Sequence, residues 1–345
     1  MTPVRRLLAL ICVAASLAIG SCSSPDDRAV VTLLTHDSFR VSPAVLADFE
    51  HRSGLRVRVL RSGDAGALVN QAILSAGHPQ GDVLYGVDNT FLSRAVKAGI
   101  FTPYRAPATV PRQFDLDPAV NPVDYGDVCV NYDKAWYAEH RLAPPRSFED
   151  LTRPAYRDQL VVQNPATSSP GLAFLLGTVA TYGPAGWAGW WKRVRANGAL
   201  VTDTWSEAYD QRFTVGSQGR GDRPLVVSYA SSPPAEVLYA AERPSTAPSG
   251  VLVDTCFRQI EFAGLLAGAE NPAGGRKLID FLVSAEFQRD LPLQEFMFPV
   301  RPDTPLPREF TEYAPLPARP LTVPAGEIDE HRDAWIAEWT ASVLR

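Results

Sequence analysis

The chain has 345 residues, 46% of them hydrophobic and 21% charged, with a formal net charge of −5. That length suffices for two ordinary domains with a buried core, and the balance is that of a water-soluble globular protein. The negative balance supplies no basic field and so argues against a nucleic-acid partner. Beyond the first 20 residues no long uninterrupted apolar run occurs, so the mature body is expected not to span a membrane.

The amino terminus comes first. Arg5 and Arg6 form a short basic region, and residues 7–19 form an apolar stretch too short to cross a bilayer comfortably. Ile19-Gly20-Ser21-Cys22 then resembles the lipobox of bacterial lipoproteins, in which small residues admit the peptidase and the Cys thiol accepts lipid. We therefore expect a lipoprotein signal peptide over residues 1–21, lipid on Cys22, and a polar tether over 22–28. The alternative is an ordinary signal peptide that contains Cys22. An acyl anchor would hold the exported chain on the outer face of the cytoplasmic membrane. With Cys12 in the signal and Cys22 lipidated, Cys129 and Cys256 remain. In an oxidising compartment, and with no His or Cys nearby at ligand spacing, they are candidates for a disulfide in preference to a metal site. Two separate buried thiols are the alternative.

The mature segment alternates between the strand and helix periods. Residues 30–34 read as a buried strand, and residues 43–52 as a helix with Val45, Leu46 and Phe49 on one face and Gly54 as its stop. Leu55-Arg56-Val57-Arg58-Val59-Leu60 alternates as a strand. Gly63-Asp64-Ala65-Gly66 opens a helix that runs to Leu74. A strand over 82–86 and a helix over 91–97 follow. Further strands are expected at 127–131, 160–162, 225–229 and 252–257, with helices at 171–182 and 277–282. Trp187, Trp190, Trp191 and Val194 lie at helical spacing and read as core packing ahead of a stop at Gly198. The tail places Ile328, Trp335, Ile336, Trp339 and Val343 on one helix face, which should dock on a lobe. This is an α/β pattern with largely parallel sheets. In open α/β sheets ligands bind beyond the carboxyl ends of the strands. The loops there are all polar or small: Thr35-His36-Asp37-Ser38, Ser62-Gly63-Asp64-Ala65-Gly66, Val87-Asp88-Asn89, Gln163-Asn164 and Tyr229-Ala230-Ser231-Ser232.

Several of these segments are recognisable in order. Thr35-His36-Asp37-Ser38-Phe39, Gly86-Val87-Asp88-Asn89, Asp124-Tyr125-Gly126, Asn164-Pro165-Ala166-Thr167-Ser168-Ser169-Pro170-Gly171, Trp205-Ser206-Glu207-Ala208-Tyr209 and Met297-Phe298-Pro299-Val300 together resemble the thiamine-binding periplasmic proteins of bacterial ABC importers. The resemblance implies a type II periplasmic-binding-protein fold, two α/β lobes joined by hinge strands. Lobe 1 would comprise residues 29–126 and 257–303, and lobe 2 residues 127–256, with 304–345 as a carboxyl-terminal extension. It also implies hinge crossings at 127–131 and 255–261, which would bring Cys129 and Cys256 together. The family carries other residues at those two positions, so a bridge would be a local variation.

The implied cargo is thiamine or a thiamine phosphate, delivered as a monomeric receptor to an ABC permease and its ATPase, with no cofactor, no metal and no catalysis. Ser168 and Ser169, at the mouth of a helix with Pro170 in its first turn, match the family's phosphate contacts, together with Trp205 and Tyr229. On the residues alone Ser169 could simply cap the helix. Asp64 and the backbone at Ala65 match ligand contacts, Asp64 for the pyrimidine amine or the cation, although on the residues alone an N-cap is the favoured role for Asp64. Asp88 is expected to order its own loop. The aromatic sandwich of the family falls here on His36, Ala235 and Phe296, so the ring side departs from the pattern more than the phosphate side does. A charged His36 would repel a thiazolium.

On the same fold a receptor for ferric iron, a polyamine or another phosphorylated heterocycle is the runner-up. No tyrosine pair is present for iron, and only one or two acidic residues are placed for a polyamine. A secreted hydrolase lacks support, since neither a Gly-x-Ser-x-Gly elbow nor a His-Glu-x-x-His motif occurs.

Overall fold

The computed structural model describes residues 28–345. The signal peptide, the lipobox and Cys22 lie outside the described residues. In chain order the elements are β1 (Ala29–Thr35), α1 (Pro43–Ser53), β2 (Leu55–Arg61), α2 (Ala65–Leu74), β3 (Val83–Asp88), α3 (Leu92–Lys97), β4 (Phe101–Thr102) and β5 (Asn121–Asp133). They continue with α4 (Lys134–Glu139), β6 (Leu160–Gln163), α5 (Ser169–Ala196), β7 (Leu200–Thr202), α6 (Trp205–Glu207), β8 (Leu225–Tyr229) and α7 (Ser232–Leu238). The last are β9 (Ser249–Leu266), α8 (Pro272–Leu282), α9 (Ala285–Gln294), β10 (Phe298–Pro299), α10 (Arg308–Tyr313) and α11 (Ala325–Val343).

One sheet runs in the order β2-β1-β3-β9-β5-β8-β6-β7, with β4 on β9 and β10 on β5. Each flank is parallel, β2-β1-β3 on one side and β8-β6-β7 on the other. The two long strands between them, β5 and β9, run antiparallel to each other and to their neighbours. The inner flanking strands β3, β6 and β8 are apolar because helices cover both of their faces, whereas β2 at the edge alternates apolar residues with Arg and is partly exposed. In β1, Val31 and Leu33 join the cluster that holds Phe49 of α1 and Leu278 of α8, while Leu34 joins Leu68 of α2 and Phe91 on the opposite face. The second flank repeats the scheme. Val161 and Val226 face Tyr209 and Phe213, and Val162 and Val227 lie in the cluster of α5.

Local signals set the helix limits. Pro43 opens α1, and Gly54, at φ 70°, closes it with its N–H on the Glu50 carbonyl. Ser168 caps α5, its Oγ accepting from the Gly171 N–H. The helical path expected over 171–182 breaks at Gly183, φ 66°, immediately before Pro184, and a second helical run follows it, as the tryptophan spacing implied. Trp187, Trp190 and Trp191 on its second part are buried.

Strands β5 and β9 are much longer than the pieces read from sequence. Val128 pairs with Phe257 and Val130 with Leu252, so Cys129 alone faces residues 253–256 of a bulge in β9. A disulfide joins Cys129 to Cys256 there. Beside it Arg258 of β9 grips Asp127 of β5 through two hydrogen bonds, Nε at 2.7 Å and Nη2 at 3.1 Å. The tail, expected against one lobe, touches both flanks. Leu321 donates its N–H to the Cys256 carbonyl, Trp339 of α11 packs edge-on against Trp191 of α5, and Lys97 of α3 pairs with Asp329. Among the described residues no helix is long and apolar enough to cross a membrane.

Candidate ligand-binding cleft

The carboxyl ends of β1, β2 and β3 face those of β6, β7 and β8 across a cleft of about 400 Å³. His36, Asp64, Ala65, Ser169, Trp205, Tyr229, Ala235 and Phe296 all line it. Ser168 is fully buried behind the wall, where it caps α5. Asp88 is buried too, its Oδ1 accepting from the Thr90 hydroxyl and from the N–H groups of Thr90 and Phe91, which orders its own loop.

At one end stands Asp64. Its Oδ1 accepts from the Ala65 N–H at 2.6 Å and the Ser169 N–H at 3.4 Å, and its Oδ2 from the Trp205 N–H at 2.9 Å. One carboxylate thus serves the first N–H groups of three helices, one from the first flank and two from the second. Helix N-termini attract anions, and here the anion is the protein's own. The phosphate cradle expected at Ser168 and Ser169 is therefore met by Asp64 in this structure. Burial raises the Asp64 pKa, opposed by the hydrogen bonds from Trp205, Ser168 and Ala65. The flanks also touch directly: the Ala67 N–H donates to the Thr167 carbonyl at 3.0 Å. Only glycine fits at the adjacent residue 66, because a Cβ there would lie 2.5 Å from the Thr167 oxygen.

The other end holds charge differently. His36 follows β1 with its ring against Gly86, where a Cβ would fall 2.5 Å from the His36 Cδ2. Its Nδ1 is 2.8 Å from the Ser38 hydroxyl. Its Nε2 lies 3.6 Å from Glu261 and 4.0 Å from Glu295, and has no hydrogen-bond partner among the described residues. Burial works to lower the His36 pKa, but Glu261 and then Glu295 and Asp64 outweigh it and lift it to about 9. Glu295 is pushed up to about 7 by burial, against the pull of His36 and of the Arg40 N–H that donates to it. Deeper still, the Tyr85 hydroxyl donates to Asp124, and burial followed by Glu261 holds the Asp124 pKa well above the carboxylate range.

Aromatic rings form the walls. Trp205 stacks on Tyr209 at 4.9 Å and 15°, and its Nε1 donates to the Ser228 hydroxyl at 2.9 Å. Tyr229 stands near it at 6.4 Å. Phe296 sits at φ 55°, a left-handed conformation costly for a bulky side chain. Ala235 offers no ring, yet Tyr239, one helical turn further on, meets Phe296 edge-on at 5.4 Å.

Glu261, Glu295, Arg40, Tyr209 and Tyr239 were not singled out from sequence, although all line the cleft. Glu261 did leave a signal, a lone acid inside the apolar run Ile260-Glu261-Phe262-Ala263. Glu295 left none beyond adjoining Phe296. With Asp64 they give the cleft more acidic groups than expected, which weakens the argument made from sequence against a polyamine. Among the described residues no group of three or more His, Cys, Asp or Glu side chains could hold a metal ion.

Residues 79–323 match the model of the family described as bacterial extracellular solute-binding protein. The chain is 31% identical to the thiamine-binding periplasmic protein of Brucella suis, over 99% of this chain and all of that one. It is also 31% identical to the protein of that name from Escherichia coli K12, over 94% of this chain and 97% of the other. A solved periplasmic thiamin binding protein superposes with a TM-score of 0.81 at 29% identity, covering 92% of this chain and 96% of that one. The chain belongs to the bacterial extracellular solute-binding protein family and has the type II periplasmic-binding-protein fold.

Proposed function

We propose that this member of the family is an exported receptor that captures thiamine or a thiamine phosphate and delivers it to a membrane permease driven by a cytoplasmic ATPase. The observation that carries this reading is the make-up of the cleft. Its volume of about 400 Å³ suits one small molecule, and it combines stacked aromatic walls with buried carboxylates. A flat heterocycle with a fixed positive charge calls for that combination. The names of the relatives that span nearly all of this chain support it.

On this reading residues 29–126 with 257–303 act as one lobe and 127–256 as the other, and β5 and β9 are the hinge. Ligand shifts the population toward the closed form through its greater affinity for that form, and undergoes no chemistry. His36, Asp64, Ala65, Ser169, Trp205, Tyr229 and Phe296 contact the cargo, and Ser168 supports the α5 terminus. Lipid on Cys22 keeps the monomeric receptor at the outer face of the membrane. The Asp64 contacts favour the unphosphorylated form, because a phosphate reaches the Ser169 and Trp205 N–H groups only by displacing that carboxylate.

A polyamine receptor is the second reading, favoured by the acidic groups alone. Mass spectrometry of the small molecule released from freshly purified chain separates the two. Thiamine or a thiamine phosphate is expected, and a polyamine in its place would overturn the proposal.

A further inference from the structure

We infer that Glu261 and Glu295 form a cation-recognition subsite whose internal counter-ion is His36 and whose ligand is the positively charged heteroaromatic ring of the cargo. The inference rests on the thiamine reading and names the residues that select for charge within it.

The register of the sheet supplies the first reason. Glu261 stands opposite Asp88 of β3 on one side and Asp124 of β5 on the other. Three acids abreast in the buried middle of a sheet oppose its stability, since like charges across strands repel. Two of the three are provided for locally. Asp88 accepts from Thr90, Phe91 and Gln259, and Asp124 from the Tyr85 hydroxyl. Glu261 is left facing His36.

Geometry supplies the second. The His36 Nε2 lies 3.6 Å and 4.0 Å from the two carboxylates, contacts that carry charge but are too long for good hydrogen bonds. His36 is only 7% exposed, and its Nε2 has no hydrogen-bond partner among the described residues. The two acids that flank it, Glu261 and Glu295, both line the cleft, where a cation can reach them.

The charge balance supplies the third. Glu295 faces His36, Glu261 and Arg40, and Glu261 also lies within the field of Tyr85, Asp124, Asp88 and Tyr229. The Arg40 guanidinium is turned toward the carbonyls of Asp37 and Phe39, and its backbone N–H alone reaches Glu295. Two cations, His36 and Arg40, thus stand against three carboxyl groups, Glu261, Glu295 and Asp64, with the rim of the cleft beside Phe296. A cationic ring laid on Phe296 gains the ring face and the surplus negative charge together. The repulsion of a thiazolium by a charged His36 is offset by the acids around it.

The test is calorimetry on the full chain between pH 6 and pH 8, with two probes. Thiamine carries the charge, and the aminopyrimidine alcohol that lacks the thiazolium does not. Glu295 titrates near 7 and His36 near 9, so Glu295 loses its proton across this range while His36 stays charged. Thiamine affinity should rise about tenfold from pH 6 to pH 8, and affinity for the uncharged probe should stay flat. Glu295→Gln should lower thiamine affinity about tenfold at pH 8 and abolish the rise. His36→Phe keeps a ring and removes the counter-charge, so it should strengthen thiamine binding at pH 8, a gain that a merely structural role would not produce. Should Glu295→Gln fail to fold, the pH profile of the unaltered protein decides. Thiamine binding that is flat with pH, or that both substitutions weaken alike, sinks the subsite while leaving the receptor reading standing. No thiamine binding at any pH instead removes the receptor reading itself.

Discussion

At one end of the cleft a single carboxylate, Asp64, is met by three backbone N–H groups; at the other, two carboxylates, Glu261 and Glu295, share one imidazole ring. The first arrangement is saturated and directional. Its donors belong to helix termini from both flanks, so it exists only when the flanks are together. The second is ionic, long in its distances and short of positive charge. The contrast is between a carboxylate whose hydrogen bonds tie the two flanks and a charged group that, on the proposed reading, selects the ligand.

The sharpest way to break the comparison is to remove the saturated end. Asp64→Ala leaves three buried N–H groups without their acceptor and costs one helix cap. We expect a loss of about 2–4 kcal/mol of unfolding free energy in urea. A loss under about 0.5 kcal/mol would show that the Asp64 contacts are incidental. Next in size is the aromatic wall between the two ends. Trp205→Ala or Tyr229→Ala should weaken thiamine binding at least tenfold by calorimetry, about 1.4 kcal/mol or more. Unchanged affinity would take these rings out of the site.

The ionic end is tested through the pH dependence of stability. His36 is raised from 6.5 to about 9 in the folded chain, so its contribution is fully present below 6.5 and is lost as pH rises through 9. Glu295 is raised from 4.5 to about 7, because burial favours its protonated form. The folded state therefore holds that proton more tightly, and stability again falls as pH climbs from 4.5 to 7. Both groups act in one direction. The melting temperature should fall between pH 6 and pH 9 as both groups lose their protons. A rise over that range would contradict the charge assignment. Stability and thiamine affinity should thus move in opposite senses between pH 6 and pH 8.

Much of the scaffold was legible in sequence. Residues 30–34, 160–162 and 225–229 read as strands because helices bury both of their faces and leave unbroken apolar runs. Gly54 and Gly198 were readable as stops and do take positive φ. The long strands were not legible at full length. Asn121-Pro122-Val123-Asp124-Tyr125-Gly126 carries turn-forming residues throughout, and pairing with β9 and β10 holds it extended. Of the cleft, the loops at the strand ends and the residues His36, Asp64, Ser169, Trp205, Tyr229 and Phe296 were reachable, whereas Glu295 and Tyr239 carried no pattern.

By itself the sequence determined the export signal pattern, the alternation of strand and helix, and the placement of small and polar residues at the strand ends, because each is written in neighbouring side chains. Which charges face one another was decided only by tertiary structure. Glu261 meets His36 across 225 positions, and Asp64 meets Trp205 across 141, through strand register and the meeting of two flanks. Coulomb forces and hydrogen bonds act over a few ångströms of space, and separation along the chain carries no record of it.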